Sequence, residues 1–238
     1  MLIRDKRHFG TGIIMSLAFF GLFGLIMSPI FGSGMNGLEF SDDMFNKLSK
    51  GSAYFIPKVA KENEKYVGRQ ISATVNYDKP EDAKKAANLV SVAGGTAELK
   101  GGELKLSGDL GKMLSVVIRD GDFMYKNDGA KLKETYGYDE KQAMKDWWAL
   151  LGKVDKALQL SKDFDNAKMI NEVSKKVVEP SYNFYGIQAQ SVTDRIGMMS
   201  ALLIFYVCYT IWWGYALFHL FEGLGLTVHK KVKVKKEL

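Results

Sequence analysis

The stretch TGIIMSLAFFGLFGLIMSPIF, residues 11–31, decides the fold class, because none of its 21 residues is charged. As a helix it would be about 31 Å long, which matches the roughly 30 Å hydrocarbon core of a bilayer. A second apolar stretch, IGMMSALLIFYVCYTIWWGYALFHLF at residues 196–221, contains no Asp, Glu, Lys or Arg and a single histidine, His219. No other apolar run in the 238-residue chain approaches this length. The sequence therefore predicts two transmembrane helices.

Basic residues flank both apolar stretches on the sides that face away from the central region. Short basic flanks stay in the cytoplasm, whereas a long loop of balanced charge can be translocated. Residues 34–195 are balanced in this way, with 25 basic and 24 acidic residues. The flanking residues that we expect to set the orientation and to contact lipid headgroups are Arg4, Lys6, Arg7, Lys230, Lys231 and Lys233. We interpret the lysine-rich end as a membrane contact and expect no nucleic-acid partner.

This pattern predicts a two-pass protein of a bacterial inner membrane with both termini in the cytoplasm. The predicted segments are a cytoplasmic N-terminus (1–10), transmembrane helix 1 (11–33), an extracytoplasmic α+β domain (34–195), transmembrane helix 2 (196–221) and a cytoplasmic basic tail (222–238). A cleaved signal peptide is the alternative for the first helix, since small residues at 32–34 suit a cleavage site. The apolar run exceeds the usual h-region of about 7–15 residues, so we expect a retained signal-anchor.

Cap and turn signals divide the central domain into an α-β-α-β-β module with additional helices. The expected elements are a short helix capped by Ser41, a helix from Pro57 to about residue 66, a strand at 69–77, a helix from Pro80, a hairpin at 96–107 turning at Gly101 and Gly102, and a helix from Leu110 to about residue 118. A loop at 120–129, a long helix capped by Asp139 and a helix at 165–178 that stops before Pro180 are expected to follow. The order over residues 57–107 resembles that of small periplasmic modules such as BON and ring-building domains.

Two patterns suggest chemistry, and each lacks the context that the chemistry requires. Residues 32–37, GSGMNG, match G-x-G-x-x-G, but they follow an apolar helix where a dinucleotide site needs a strand. The acidic cluster at 120–128 has Met124 and Tyr125 where a calcium loop needs an oxygen ligand and a glycine. The histidines, at 8, 219 and 229, lie outside residues 34–195, which removes His-based zinc sites and Ser-His-Asp triads from that domain. We therefore predict a non-enzyme with no metal and no cofactor.

His219 is the one residue that still suggests a functional site, because an ionisable residue inside an apolar stretch is a candidate functional residue. His8 lies at the corresponding end of the first stretch. A bis-histidine haem or a quinone contact at this depth is one interpretation. The interpretation that we favour places His219 in the interfacial zone, bonded to a backbone carbonyl or a lipid headgroup, because residues near helix ends reach the interface.

Small and aromatic residues predict where protein partners bind. Gly21, Gly24, Gly197 and Ala201 are small enough to let another helix approach closely, although such residues are also common in lipid-facing helices. Trp147 and Trp148 are adjacent, so their side chains point about 100° apart on a helix. We expect one of them to face a partner, with burial of both in the core as the alternative.

These observations together predict a non-catalytic accessory subunit of a multi-subunit inner-membrane complex, of respiratory or transport type, that presents an extracytoplasmic docking domain. Its expected partners are other membrane subunits and membrane lipids. One alternative is a self-associating periplasmic scaffold, for which a homo-oligomer would be the mark. A sensor or adaptor is a second alternative, and a haem- or quinone-binding protein that uses His219 is a third.

Overall fold

The computed structural model describes residues 3–226 and separates into two compact units. One unit, Asn46–Ala189, is a mixed α and β domain, and the other combines the two ends of the chain, within Met1–Phe45 and Gln190–Leu238. Residues 1–2 and 227–238 lie outside the described residues. The predicted lipid contacts of Lys230, Lys231 and Lys233 therefore lie outside them as well.

Ten α-helices and three strands are assigned within residues 3–226. The helices are α1 Lys6–Ile26, α2 Gly37–Ser52, α3 Ile56–Asn63, α4 Pro80–Val92, α5 Leu110–Tyr125, α6 Ala130–Tyr136, α7 Glu140–Leu160, α8 Phe164–Val173, α9 Glu179–Asn183 and α10 Val192–Gly223. A 3₁₀ turn, Glu64–Tyr66, follows α3, and a π-helical segment, Ser174–Val178, joins α8 to α9. The strands are β1 Gln70–Asn76, β2 Thr96–Lys100 and β3 Glu103–Asp109. The predicted α-β-α-β-β order, followed by helices, is observed.

Helices α1 and α10 are both long and apolar enough to cross a membrane. Helix α1 begins at Lys6 and not at residue 11, because the Asp5 carboxylate accepts hydrogen bonds from the backbone N–H groups of Arg7 and His8. It ends at Ile26, before Pro29, and the chain then turns where Phe31 and Met35 exchange backbone hydrogen bonds. The helix therefore stops well before the predicted end at residue 33.

The cap of α2 differs from the prediction. Asn36, not Ser41, is the capping residue, because its side-chain oxygen accepts hydrogen bonds from the N–H groups of Leu38 and Glu39. The Glu39 carboxylate in turn accepts from the Asn36 N–H, which completes a capping box. Ser41 lies inside the helix and donates its hydroxyl to the Gly37 carbonyl.

The loop predicted at 120–129 is wrong, because α5 continues to Tyr125. Met124 and Tyr125 are buried and extend the apolar face of the helix by about two turns beyond Ile118. Asp120 is also buried, at 1% exposure, and lies on the inner side of α5. The short helix α6, which sequence patterns did not predict, follows directly after this region.

The helix predicted to stop before Pro180 instead passes through it. Proline lacks an N–H, and its ring clashes with the carbonyl four residues earlier in a regular α-helix. Here the π-helical segment Ser174–Val178 widens the turn just ahead of Pro180, and α9 then begins with that proline in its first turn. The continuation places α9 alongside α7 and α5.

The three strands form an antiparallel sheet in the order β1-β3-β2. Ala73 of β1 is opposite Leu106 of β3, and Leu106 is also opposite Ala97 of β2. The predicted alternation in β1 is confirmed, since Ile71, Ala73 and Val75 are buried while the residues between them are exposed. The buried face of the sheet packs on α4 and α7, and the core continues through α5 and α8. One hydrophobic core therefore supports the whole domain.

Candidate functional site

Helix α7 separates the two adjacent tryptophans. Its first turn is capped by Asp139, as predicted, whose carboxylate accepts from the Gln142 N–H at 2.8 Å. Trp147 is 1% exposed and donates its indole N–H to the Tyr136 hydroxyl at 3.2 Å. Trp148 is 50% exposed. Trp147 thus belongs to the core, and Trp148 is the tryptophan of the pair that is accessible on the surface.

A buried network of side-chain hydrogen bonds holds Trp147 in place. The Tyr136 hydroxyl donates to Asp120, whose other oxygen pairs with Arg119 at 2.9 Å. Burial, reinforced by the Asp120 charge, raises the pKa of Tyr136 far above its ordinary value, so the phenol remains protonated. Each polar group in this hydrogen-bond network has a partner, as buried polar atoms require. The network connects α5, α6 and α7 beneath the surface where Trp148 lies.

Trp148 borders a cleft between α7 and the π-α9 segment, with a volume of about 300 Å³. The residues that line this Trp148 cleft are Met144, Lys145, Trp148, Val178, Glu179, Tyr182 and Asn183. Met144 and Val178 are buried and form its floor, whereas Tyr182 is 38% exposed. The indole N–H of Trp148 donates to Glu179 at 3.0 Å, which fixes the orientation of the ring.

The rim of the Trp148 cleft carries charged side chains of both signs. Lys145 is exposed and has no ion-pair partner among residues 3–226. Lys141, one turn earlier, lies 5.8 Å from the ring centroids of Tyr182 and Tyr185. Glu179 already accepts the hydrogen bond from Trp148. Glu179 keeps its negative charge, so the two lysines against this one carboxylate give the rim a small net positive charge.

A second cluster, the Lys50 cluster, joins the beginning and the end of the α+β domain. Lys50 is 3% exposed, and its ammonium donates to the Asn127 side-chain oxygen at 3.0 Å and to the carbonyls of Phe184 and Ile187 at 3.0 and 2.7 Å. Asn127 adds a donor to the Ile187 carbonyl and accepts from the Gly186 N–H. Burial lowers the pKa of the Lys50 ammonium, while the three oxygen acceptors stabilise its charged form.

The terminal unit brings His8 and His219 together, 211 residues apart in sequence. Their Nδ1 atoms are 2.9 Å apart, and the ring centroids are 5.1 Å apart at an interplanar angle of 29°. The centroid separation exceeds the nitrogen separation by 2.2 Å, about one ring radius at each end, so the nitrogens face each other edge to edge. One Nδ1 must donate while the other accepts, so a single proton lies between them.

This contact adds a partner for His219 that the sequence analysis did not predict. The Nδ1 atom of His219 bonds to His8, and the predicted bond to a backbone carbonyl or a lipid headgroup stays a prediction for the other ring nitrogen. Axial ligands of a bis-histidine haem must lie on opposite faces of the macrocycle, and nitrogens in direct hydrogen-bond contact leave no space for a ring between them. The residues as placed do not fit a haem held between His8 and His219.

Glycines other than the predicted ones bring α1 and α10 into contact. A Cβ atom added to Gly12 would lie 2.7 Å from the Leu220 backbone nitrogen, and one added to Gly223 would lie 2.5 Å from that of Phe9. A Cβ at Gly21, Gly24 or Gly197 would meet nothing within 4 Å, and Ala201 is exposed. The predicted small residues therefore lie on the uncovered surface of the helix pair and take no part in the contact between α1 and α10.

Comparison of this chain with protein-family models, with characterised proteins and with solved structures gave no match.

Proposed function

We propose that this chain is a non-catalytic accessory subunit of a bacterial inner-membrane complex, anchored by α1 and α10, that docks another subunit on the Trp148 cleft. The observation that carries the proposal is the half-exposed Trp148, held rigid by Glu179 above a buried apolar floor. Protein interfaces are enriched in such aromatic anchors at the centre of a polar rim. A ring that is already oriented loses little side-chain freedom when a partner binds.

The surface of the helix pair supports membrane anchoring. Large apolar side chains on both helices are exposed, with Ile14 and Leu17 of α1 at 69% and 68% and Ile204 of α10 at 64%. An apolar surface of this extent is costly in water and favourable in lipid. The basic residues of the first flank, Arg4 and Arg7, support a cytoplasmic N-terminus, with the α+β domain on the opposite side of the membrane.

Topology is tested with single cysteines in a Cys208→Ser background. A cysteine at Lys162, in the domain, should react with an impermeant maleimide in intact spheroplasts. A cysteine at Ile3, which leaves the basic residues of this flank in place, should react only after the membrane is opened. Labelling of both sites in intact spheroplasts, or of neither, would contradict the proposed arrangement.

Docking is tested by purifying the tagged full chain from its native membrane in mild detergent, followed by mass spectrometry. Other membrane subunits should copurify, and Trp148→Ala should remove at least one of them. Phe164→Ala is the matched control, because Phe164 is an exposed aromatic residue of the same domain, at 63%, outside the cleft. Equal loss of partners in both variants would refute the assignment of the cleft.

A self-associating scaffold is the second candidate, favoured by the open surface at Gly21, Gly24 and Gly197. Small residues in apolar helices allow two backbones to approach closely. Recovery of the chain alone as a homogeneous homo-oligomer, dissociated by Gly24→Leu, would support this candidate against the accessory role.

A further inference from the structure

We infer that the Trp148 cleft binds a polypeptide segment that inserts one large apolar side chain and places a carboxylate beside Lys145. The inference rests on the proposed docking function and specifies the chemistry of the docked segment.

The size and lining of the cleft suit one apolar side chain. Its volume of about 300 Å³ is at the lower end of the range of roughly 300–1,000 Å³ for ligand sites. Met144 and Val178 form an apolar floor, and the exposed rings of Trp148 and Tyr182 form the sides. Methionine adapts its shape to different apolar groups, so both leucine-like and phenylalanine-like side chains suit this floor.

The hydrogen bonds already made in the cleft favour an apolar insert over a polar one. The Trp148 N–H is bonded to Glu179, so the indole offers its face, not a donor, to the insert. A polar group placed on the buried floor beside Met144 would lose its hydrogen bonds to water without an evident replacement. The polar rim, which includes Lys145 and Asn183, surrounds this floor and suits the backbone and the neighbouring side chain of a docked segment.

The charges of the rim favour an acidic neighbour to the apolar insert. Lys145 is exposed and has no ion-pair partner among residues 3–226, and Lys141 adds a second positive charge one turn away. Among the described residues that line the cleft, Glu179 is the carboxylate; it keeps its charge while it accepts from Trp148, so Lys145 and Lys141 leave a net positive charge of one at the rim. Electrostatic complementarity therefore selects a carboxylate and disfavours a lysine or arginine at that place.

The test uses the full chain in detergent micelles, with ¹³C-methyl methionine and ¹⁵N-indole tryptophan labels. The Met144 methyl and Trp148 indole signals are assigned with Met144→Leu and Trp148→Phe. The probes are three blocked tetrapeptides: Ac-GFEG-NH2, its charge-reversed partner Ac-GFKG-NH2, and Ac-GAEG-NH2, which lacks the large side chain. Decanoate, an acyl chain with a carboxylate, is the fourth probe.

The expected result is that Ac-GFEG-NH2 shifts both signals in a saturable manner. The other two peptides should bind more weakly, the charge-reversed one by about threefold to tenfold, as for exposed charge pairs. Lys145→Gln should weaken Ac-GFEG-NH2 by about threefold, whereas Lys58→Gln, at an exposed lysine outside the cleft, should have no effect.

The failures are distinguishable. Equal binding of the acidic and basic peptides overturns the carboxylate preference and leaves docking intact. If the peptides cause no shift while Trp148→Ala still removes a copurifying subunit, the cleft docks a partner of other chemistry and the inference fails. A response to decanoate alone identifies a lipid site and overturns the polypeptide assignment. No peptide response together with no loss of subunits defeats both the inference and the proposed function.

Discussion

Replacement of Lys50 by methionine should loosen the join between the start and the end of the α+β domain. Methionine keeps the length and apolar stem of lysine but removes the ammonium, which donates to Asn127, Phe184 and Ile187. Hydrogen bonds from a charged donor contribute about 1.5–3 kcal/mol each, and the desolvation of a buried ammonium offsets several kcal/mol of that. We therefore expect Lys50→Met to lower the free energy of unfolding by about 2–4 kcal/mol.

The remaining contacts limit this loss. The Ile187 carbonyl retains the Asn127 amide donor at 3.0 Å, and the Phe184 carbonyl retains the Ile187 N–H at 3.1 Å. No acceptor of the Lys50 cluster is thus left without a protein donor, which avoids the full cost of an unsatisfied buried group.

Thermal unfolding of the full chain in detergent, followed by circular dichroism, provides the assay. A loss of 2–4 kcal/mol corresponds to a decrease of about 10 °C in Tm for a domain of this size. Hydrogen exchange should also accelerate at the Gly186 and Ile187 amides. Lys58→Met is the control, because Lys58 is exposed. If Lys50→Met matches Lys58→Met in Tm and in exchange, the assignment of Lys50 as a stabilising donor is refuted.

The same variant should change the pH dependence of stability. Burial lowers the pKa of the Lys50 ammonium, so from that lowered pKa up to the ordinary value near 10.5 the unfolded chain binds more protons than the folded chain. In that window the Lys50 contribution to the free energy of unfolding rises with pH, and below it the contribution is constant. Tyr136, whose pKa is raised, acts in the opposite sense but is common to both proteins. The difference between parent and Lys50→Met should therefore grow with pH in denaturant titrations, and a flat difference would contradict this account.

Three further substitutions test the fold. Gly12→Leu should lower the thermal aggregation midpoint of the detergent-solubilised chain, because its side chain meets the α10 backbone, while Gly214→Leu, in open space, should leave the midpoint unchanged. Trp147→Ala should cost about 3–5 kcal/mol of unfolding free energy by chemical denaturation, as expected for a fully buried tryptophan. Asp120→Ala should cost about 2–3 kcal/mol by the same measurement, since it leaves the Tyr136 hydroxyl without its acceptor, and Asp120→Asn should cost less because an acceptor oxygen remains.

The elements with strong local signals were predictable. The alternation of Ile71, Ala73 and Val75 identified β1, and Asp139 identified the start of α7, because each signal lies within a few residues of its element. The continuation of α5 past Asp120 was not predictable in this way. An acidic residue before a glycine is typical of a loop, and the partners that allow its burial, chiefly Tyr136, follow on another helix.

The candidate sites also separate into features with a local sequence signal and features that depend on contacts between distant elements. Adjacent tryptophans on one helix favoured an outward-facing ring but left burial of both open. One side of the cleft is formed by α9, which lies beyond the helix end predicted before Pro180. The pairing of His8 with His219 was partly predictable, because two helices of similar apolar length place their polar ends at similar depth. The choice of Gly12 and Gly223 over Gly21 and Gly24 depends on which faces meet, and composition does not encode that choice.

The hydrogen bond between His8 and His219 also bears on the order in which the protein assembles during synthesis. A ribosome that adds about 5–20 residues per second needs roughly 10–40 s to cover the 211 positions between them. In the proposed membrane arrangement α1 enters the bilayer first and remains there without α10 for that interval. An α1 without Asp, Glu, Lys or Arg after Arg7 suits a helix that must be stable in lipid alone. The histidine contact can form only after residue 219 has been made, and it then joins α10 to a helix that already lies in the bilayer.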